Sequence, residues 1–156
     1  MRDTALSILL VSDSQDTVAD IVTTYTQHSP RSTLNIVHNL VEARAFLSQN
    51  TPDIALVRYQ LSDGNAPELI DERISSFPLI LLIEDGQQAE AELALLKGCV
   101  DYLKATKANL AGLPELLPLH RQIWLLRNKL DQAERLAKPG KFAPSWITFS
   151  KRKNTV

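Results

Sequence analysis

Five short apolar runs separated by amphipathic stripes decide what this chain can fold into. Ala5–Val11 is nearly continuous in apolar residues and suits a strand buried on both faces. Ser12-Asp13-Ser14 ends that run and offers a helix cap. Val18, Ile21, Val22 and Tyr25 then recur at i, i+3, i+4 and i+7, the stripe of an amphipathic helix stopped by His28-Ser29-Pro30. Leu34–Val37 reads as a second strand, and Ala43, Phe46 and Leu47 as the inner face of a second helix. Behind Pro52-Asp53, Ile54–Val57 is a third strand; Ser62–Asn65 reads as a loop, and Leu69, Ile70 and Ile74 predict a helix after it. Pro78–Ile83 is the most apolar strand. Glu84-Asp85-Gly86 turns the chain into a helix bearing Ala91, Leu93, Ala94 and Leu95, closed by Gly98 as a left-handed cap. Val100–Leu103 is the fifth strand. Such alternation with short connections predicts an α/β fold, a doubly wound five-stranded parallel sheet with helices on both faces. Sites in these sheets form at the carboxyl ends of the strands, which here are Ser12 and Asp13, Arg58–Leu61, Ile83 and Glu84, and Lys104–Thr106.

Composition excludes several classes of function. With 156 residues, one compact domain is expected, and a formal charge of −1 rules out a chain-wide footprint for nucleic acid. The charge is uneven: residues 138–156 hold Lys138, Lys141, Lys151, Arg152 and Lys153 and no acid, a tail of +5 that leaves −6 on the rest. Phe142, Trp146, Ile147 and Phe149 make the same tail aromatic, so a boundary is expected near Lys138. A single cysteine, Cys99, excludes an internal disulfide and a cysteine-based zinc cluster, and is expected as a small buried hydrophobe. No apolar run approaches the ~18 residues of a membrane span. The stretch before Asp13 is too short for a convincing signal peptide, so a cytoplasmic protein is expected. Glycine-rich phosphate loops and G-x-S-x-G are absent. His28, His38 and His120 show no metal spacing and are expected as surface or helix-end residues. No metal, cofactor or small-molecule substrate is expected, and no enzymatic activity.

Taken together, the strand-end segments resemble the receiver domain of bacterial two-component response regulators. Ile8-Leu9-Leu10-Val11-Ser12-Asp13-Ser14 is similar to the first strand and its acidic turn, Pro52–Asn65 to the third strand and its loop, Pro78–Ile83 to the fourth strand, and Gly98–Ala105 to the fifth. The likeness runs from residue 5 to about residue 130 and implies a receiver, or flavodoxin-like, architecture. It also implies a chemistry: two carboxylates and an acceptor Asp around Mg²⁺, with a Thr or Ser hydroxyl and a Lys ammonium on the phosphoryl oxygens.

Residue by residue, the chain departs from that chemistry. The acidic pair falls on Ser12 and Asp13, the acceptor on Arg58, the hydroxyl on Ile83 and the lysine on Ala105. Lys104 comes one residue early, and a strand of period two turns it to the other face. Asp53, ~16 Å from Arg58 at ~3.3 Å per residue, and Asp63, in the loop, are expected to be structural. Arg58 either pairs with Asp13, replacing a reversible metal contact by a fixed ion pair, or points into water. Tyr102 falls at the family's aromatic switch position on the output face, which it either serves or merely helps to pack.

From Leu116 the apolar residues run Leu119, Ile123, Leu126, Leu130, Ala133 and Ala137, spacings of 3, 4, 3, 4, 3 and 4 that make a heptad seam. Pro114 suits the first turn, and Pro118 is expected to kink the helix or mark its start. The expected division is a receiver-like body at 1–118, an extended amphipathic or coiled-coil helix at 119–137 and the basic aromatic tail at 138–156. The helix either folds back or joins two copies as a homodimer, parallel or antiparallel; the spacing does not choose between them. The resulting expectation is a pseudo-receiver acting by contact with a protein partner, such as a kinase or another regulator. Its rivals are a phosphoacceptor with a nonstandard site and a nucleic-acid or membrane adaptor acting through the tail.

Overall fold

The computed structural model describes residues 5–69 and 76–137. Five parallel strands form one sheet: β1 (Ser7–Val11), β2 (Thr33–Val37), β3 (Ile54–Arg58), β6 (Leu79–Ile83) and β7 (Asp101–Lys104), in the order β2-β1-β3-β6-β7. Counting only the sheet strands, the order is 2-1-3-4-5, the doubly wound arrangement that alternation predicts. Helices α1 (Gln15–His28), α2 (Leu40–Leu47), α3 (Gln88–Lys97), α4 (Lys107–Ala111) and the first turns of α5 (Leu113–Ala137) pack on it.

Strand alternation divides the core in two. Leu9, Val11, Ala55, Val57, Leu79, Leu81 and Ile83 face α2 and α3, where Leu40, Ala43, Leu47, Ala91 and Ala94 meet them. Ile8, Leu10, Ile54, Leu56, Ile80 and Leu82 face the other way, onto Ile21 and Tyr25 of α1 and Leu110, Leu113 and Leu117 of α4 and α5. Burial on both faces is why these strands read as continuous apolar runs.

Helix starts follow local capping chemistry. Ser14 accepts a hydrogen bond from the Thr17 amide at the start of α1, and Asn39 accepts one from the Glu42 amide at the start of α2. Asp63 adds to the second cap from a distance, its two oxygens accepting from Leu40 N at 2.9 Å and Val41 N at 3.0 Å. Gly98 closes α3 with a φ of 128°, a conformation that only glycine adopts without strain.

Several expectations change. Ser62–Asn65 is not a plain loop: β4 (Gln60–Leu61) and β5 (Gly64–Asn65) pair antiparallel in a tight hairpin. Gly64 has a φ of 148°, and a Cβ there would collide with the Glu68 carboxylate and Leu40. Leu69 is buried, whereas Ile70 and Ile74 lie outside the described residues. Val22 and Leu93 are exposed, Leu93 by 61%, because Ala91 and Ala94 already define the inner side of α3. The last helix begins at Leu113, which puts Pro114 in its first turn as expected, behind the separate turn α4 that Thr106 caps through Asn109 N. Pro118 neither starts nor ends α5 but sits inside it, leaving the carbonyl four residues earlier without its helical donor.

The chain divides into two compact units, one ending at Arg121 and the other beginning at Gln122. The basic tail 138–156, with Trp146 and Phe149, lies outside the described residues. Among the described residues no helix is long and apolar enough to cross a membrane.

Candidate functional site

The sheet order reverses between β1 and β3, so the loop after β1 and the end of β3 face one crevice. Ser12 is fully buried there. Its amide donates to Val37 O and its hydroxyl accepts from Ser14 N at 3.1 Å, so the side chain serves the turn. Asp13 follows with its carboxylate outward. Arg58, the last residue of β3, reaches across and donates from Nη1 to Asp13 Oδ1 at 2.6 Å, with side chains 29% and 31% exposed. Its other terminal nitrogen, Nη2, lies 3.9 Å from Glu84 Oε2 just past β6. Arg58 Nε is buried with no hydrogen-bond partner among the described residues. One guanidinium thus lies between two carboxylates at the mouth of the crevice. The pairing of Arg58 with Glu84 escaped sequence reading, though Glu84 stands among the strand-end residues; its signal is the first position beyond a strand hydrogen-bonded to β3.

The pair is partly wet, which limits its strength. Coulomb attraction at this distance is large only before desolvation, and the net stabilisation of such a contact is about 1 kcal/mol. Its chemistry matters more than its energy, because a guanidinium has no lone pair with which to attack phosphorus. It also takes up the carboxylate that a divalent cation would need. Asp13, with Ser12 beside it and Arg58 bound to it, does not fit a Mg²⁺ site. Among the described residues no group of three or more His, Cys, Asp or Glu side chains comes together as a metal site.

The remaining strand ends carry no phosphoryl ligand either. Ile83 is buried in the core and offers no hydroxyl. Ala105 donates its amide to Ile83 O at 2.9 Å and has no charge. Lys104 pairs with Ile83 across the sheet, on the face that Tyr102 shares, and its ammonium binds Asp85 at 2.8 Å. That contact raises the lysine pKa and holds the Asp85 carboxyl below the usual range.

Tyr102 is tied to α3. Its hydroxyl donates to Glu92 Oε2 at 3.2 Å and accepts from Gln88 Nε2 at 3.2 Å, while its ring packs against the core. Asp63 lies in the hairpin, where the Leu40 amide, followed by that of Val41, draws its carboxyl below the ordinary value. Asp53 is at the opposite end of β3, accepting from Ser7 N at 2.8 Å and paired with Arg121 at 3.5 Å. Cys99 is buried, and burial pushes its thiol up to about 11. His28 does end α1 and His38 is exposed, but His120 is neither surface nor helix-end. It lies within α5, 17% exposed, with Nε2 3.1 Å from Asp101 Oδ2. Arg121 and His120 had no local sequence signal; only the packing of α5 brings them to the sheet.

Leu119, Ile123, Leu126 and Leu130 of the heptad seam are exposed on α5, by 57, 40, 51 and 66%, and Ala133 is exposed as well. Leu113 and Leu117 are the fully buried residues of that helix among the described ones.

No family model matches the sequence, and no curated protein matches it. Solved structures do. A signal receiver domain from Vibrio parahaemolyticus is 18% identical, with a TM-score of 0.69 over 81% of this chain and 98% of that one. NtrX from Brucella abortus is 17% identical with a TM-score of 0.69; the match covers 83% of this chain and 30% of NtrX, which is much the longer protein. A two-component response regulator from Clostridium difficile is 21% identical, with a TM-score of 0.62 over 78% and 96%. The chain therefore has the receiver fold.

Proposed function

We propose that this chain is a pseudo-receiver, a protein–protein interaction module in bacterial signal transduction that works without aspartyl phosphorylation. The observation that carries this reading is the 2.6 Å contact of Arg58 with Asp13. A fixed cation stands where a receiver of this fold would hold its acceptor Asp and draw in its metal. Ser12, Ile83 and Ala105, at the other degenerate phosphorylation-site positions, supply no carboxylate, hydroxyl or ammonium to replace what is missing. The module is then held in one state by an internal ion pair and acts through its surface. Tyr102 and Lys104, at the output face, and the exposed seam of α5 are the surfaces it offers. Its partners are proteins: a kinase, another regulator, or a second copy of the chain joined through Leu119, Ile123, Leu126, Leu130 and Ala133.

Incubation of the full chain with acetyl phosphate and Mg²⁺, followed by mass spectrometry, tests the reading. The expected result is an unchanged mass and no Mg²⁺ binding at millimolar concentration. Gain of one phosphoryl group, or Mg²⁺ bound at the Asp13 site, would overturn it in favour of a nonstandard phosphoacceptor. Asp53 and Asp63 are poor acceptors on chemical grounds, since backbone amides and Arg121 already occupy their oxygens. A role in binding nucleic acid or membrane through residues 138–156 would show as salt-dependent binding lost on deleting them.

A further inference from the structure

We infer that α5 takes, along Ile123, Leu126, Leu130 and Ala133, a helix from a different protein whose apolar stripe is flanked by acidic side chains. Arg127 and Lys129 are the residues that select it. The inference rests on the interaction-module reading and narrows the partner to one chemistry. Ile123, Leu126 and Leu130 are exposed by 40, 51 and 66%, and Ala133 is exposed beside them. A continuous apolar stripe left open to water is the half of a helix pair that a second helix completes.

The edges of the stripe carry the selectivity. With Ile123 and Leu130 as a positions and Leu126 and Ala133 as d positions, Arg127 and Glu134 take the e positions and Lys129 and Leu136 the g positions. Side chains at e and g set partner choice in helix pairs. At about 100° per residue, Arg127 and Lys129 stand about 80° to either side of the stripe's midline, so each edge presents a cation. Both are exposed, and neither forms an ion pair among the described residues. The acids of the same stretch do not answer them. Asp131 falls at b, about 120° from the midline, and Glu134 already takes part in a contact. Two copies of this helix can offer either cation an edge carboxylate only by drawing on Glu134, in whichever direction they run. A helix with Glu or Asp at both edges meets both cations, and one with lysine there is repelled at both.

Two designed helical peptides test the inference against the full chain. Each has three heptads with isoleucine at a and leucine at d; one carries glutamate at every e and g position, the other lysine. Fluorescence anisotropy of the labelled peptides reads the affinity. The expected result is that the glutamate peptide binds about tenfold tighter than the lysine peptide, with a margin that shrinks as salt is added. Arg127→Glu combined with Lys129→Glu should reverse the preference. The same charge change made at Arg31 and Lys107, both exposed and away from α5, should leave it intact. Leu126→Asp should abolish binding of both peptides. Equal affinity for the two peptides, no binding of the glutamate peptide at hundreds of micromolar, or a preference that survives the double reversal would each overturn the inference. So would a dimer, seen by light scattering at tens of micromolar, that the glutamate peptide does not dissociate; the occupant would then be a second copy. The acetyl phosphate experiment reads the crevice at Asp13 and Arg58 and is unaffected by any of these outcomes, so failure here is separate from failure of the module reading.

Discussion

The two ends of strand β3 carry the same pair of charges in opposite arrangements. At the amino end the carboxylate belongs to the strand approach, Asp53, and the guanidinium arrives from a helix, Arg121. At the carboxyl end the guanidinium belongs to the strand, Arg58, and the carboxylates arrive from loops, Asp13 and Glu84. The first arrangement is an anchor. Asp53 Oδ2 accepts from the β1 backbone at Ser7, and Arg121 also donates to Asp53 O at 3.0 Å, so one residue ties a strand edge and a helix together. The second touches only side chains, at the crevice where a doubly wound fold places its chemistry. Identical charges thus stabilise at one end and occupy a potential site at the other, because backbone groups take part in only one of them.

Breaking the comparison at its chemical end should give the largest effect. Arg58→Asp places a third carboxylate beside Asp13 and Glu84, and we expect about 3 kcal/mol of lost stability in metal-free buffer. Mg²⁺ should recover part of it, with a denaturation midpoint that rises with metal concentration; a midpoint indifferent to metal would show that the crevice cannot hold a cation even without its guanidinium. Breaking the anchor comes next. Asp53→Ala orphans the Ser7 amide and removes the carboxylate from Arg121, at a cost of about 2 kcal/mol in urea unfolding. Asp13→Asn keeps the shape but removes the charge opposite Arg58, and about 1 kcal/mol should be lost, less at high salt. A loss at this position equal to that of Asp53→Ala would erase the distinction between the two ends.

The smallest effect is on acid stability. The Asp63 carboxyl sits below its ordinary value of 3.8 in the folded chain. A lowered folded pKa contributes stability above the unfolded value, and that contribution is lost as pH falls through the folded one. Asp63→Asn should therefore flatten the acid limb of the stability profile below the ordinary carboxylate range. An unchanged profile would mean that the α2 cap does not depend on the charge.

Legibility followed the range of the interactions. Strands β1, β3 and β6 were readable because each buries both faces, the edge strands β2 and β7 because they are short apolar runs between helix signals, and the caps of α1 and α3 because Ser14 and Gly98 act within a few residues of themselves. The β4–β5 hairpin was missed because its cause is remote, Gly64 lying against Leu40 and Glu68. Leu93 was misplaced on the inner side of α3 because an apolar residue is not obliged to be buried. At the candidate site, the encounter of Arg58 with Asp13 followed from two strand ends in a familiar order. Glu84 as a second neighbour, Arg121 on Asp53 and His120 on Asp101 had no counterpart in local pattern.

By itself the sequence determined the layering, the parallel sheet and the absence of an acceptor carboxylate at position 58, since side-chain type and period are local properties. The tertiary structure alone decided which opposite charges met. Residues 45 and 68 positions apart in the chain become partners only when strand order and helix docking bring their ends together. Electrostatic energy depends on that distance, and nothing in the spacing along the chain encodes it.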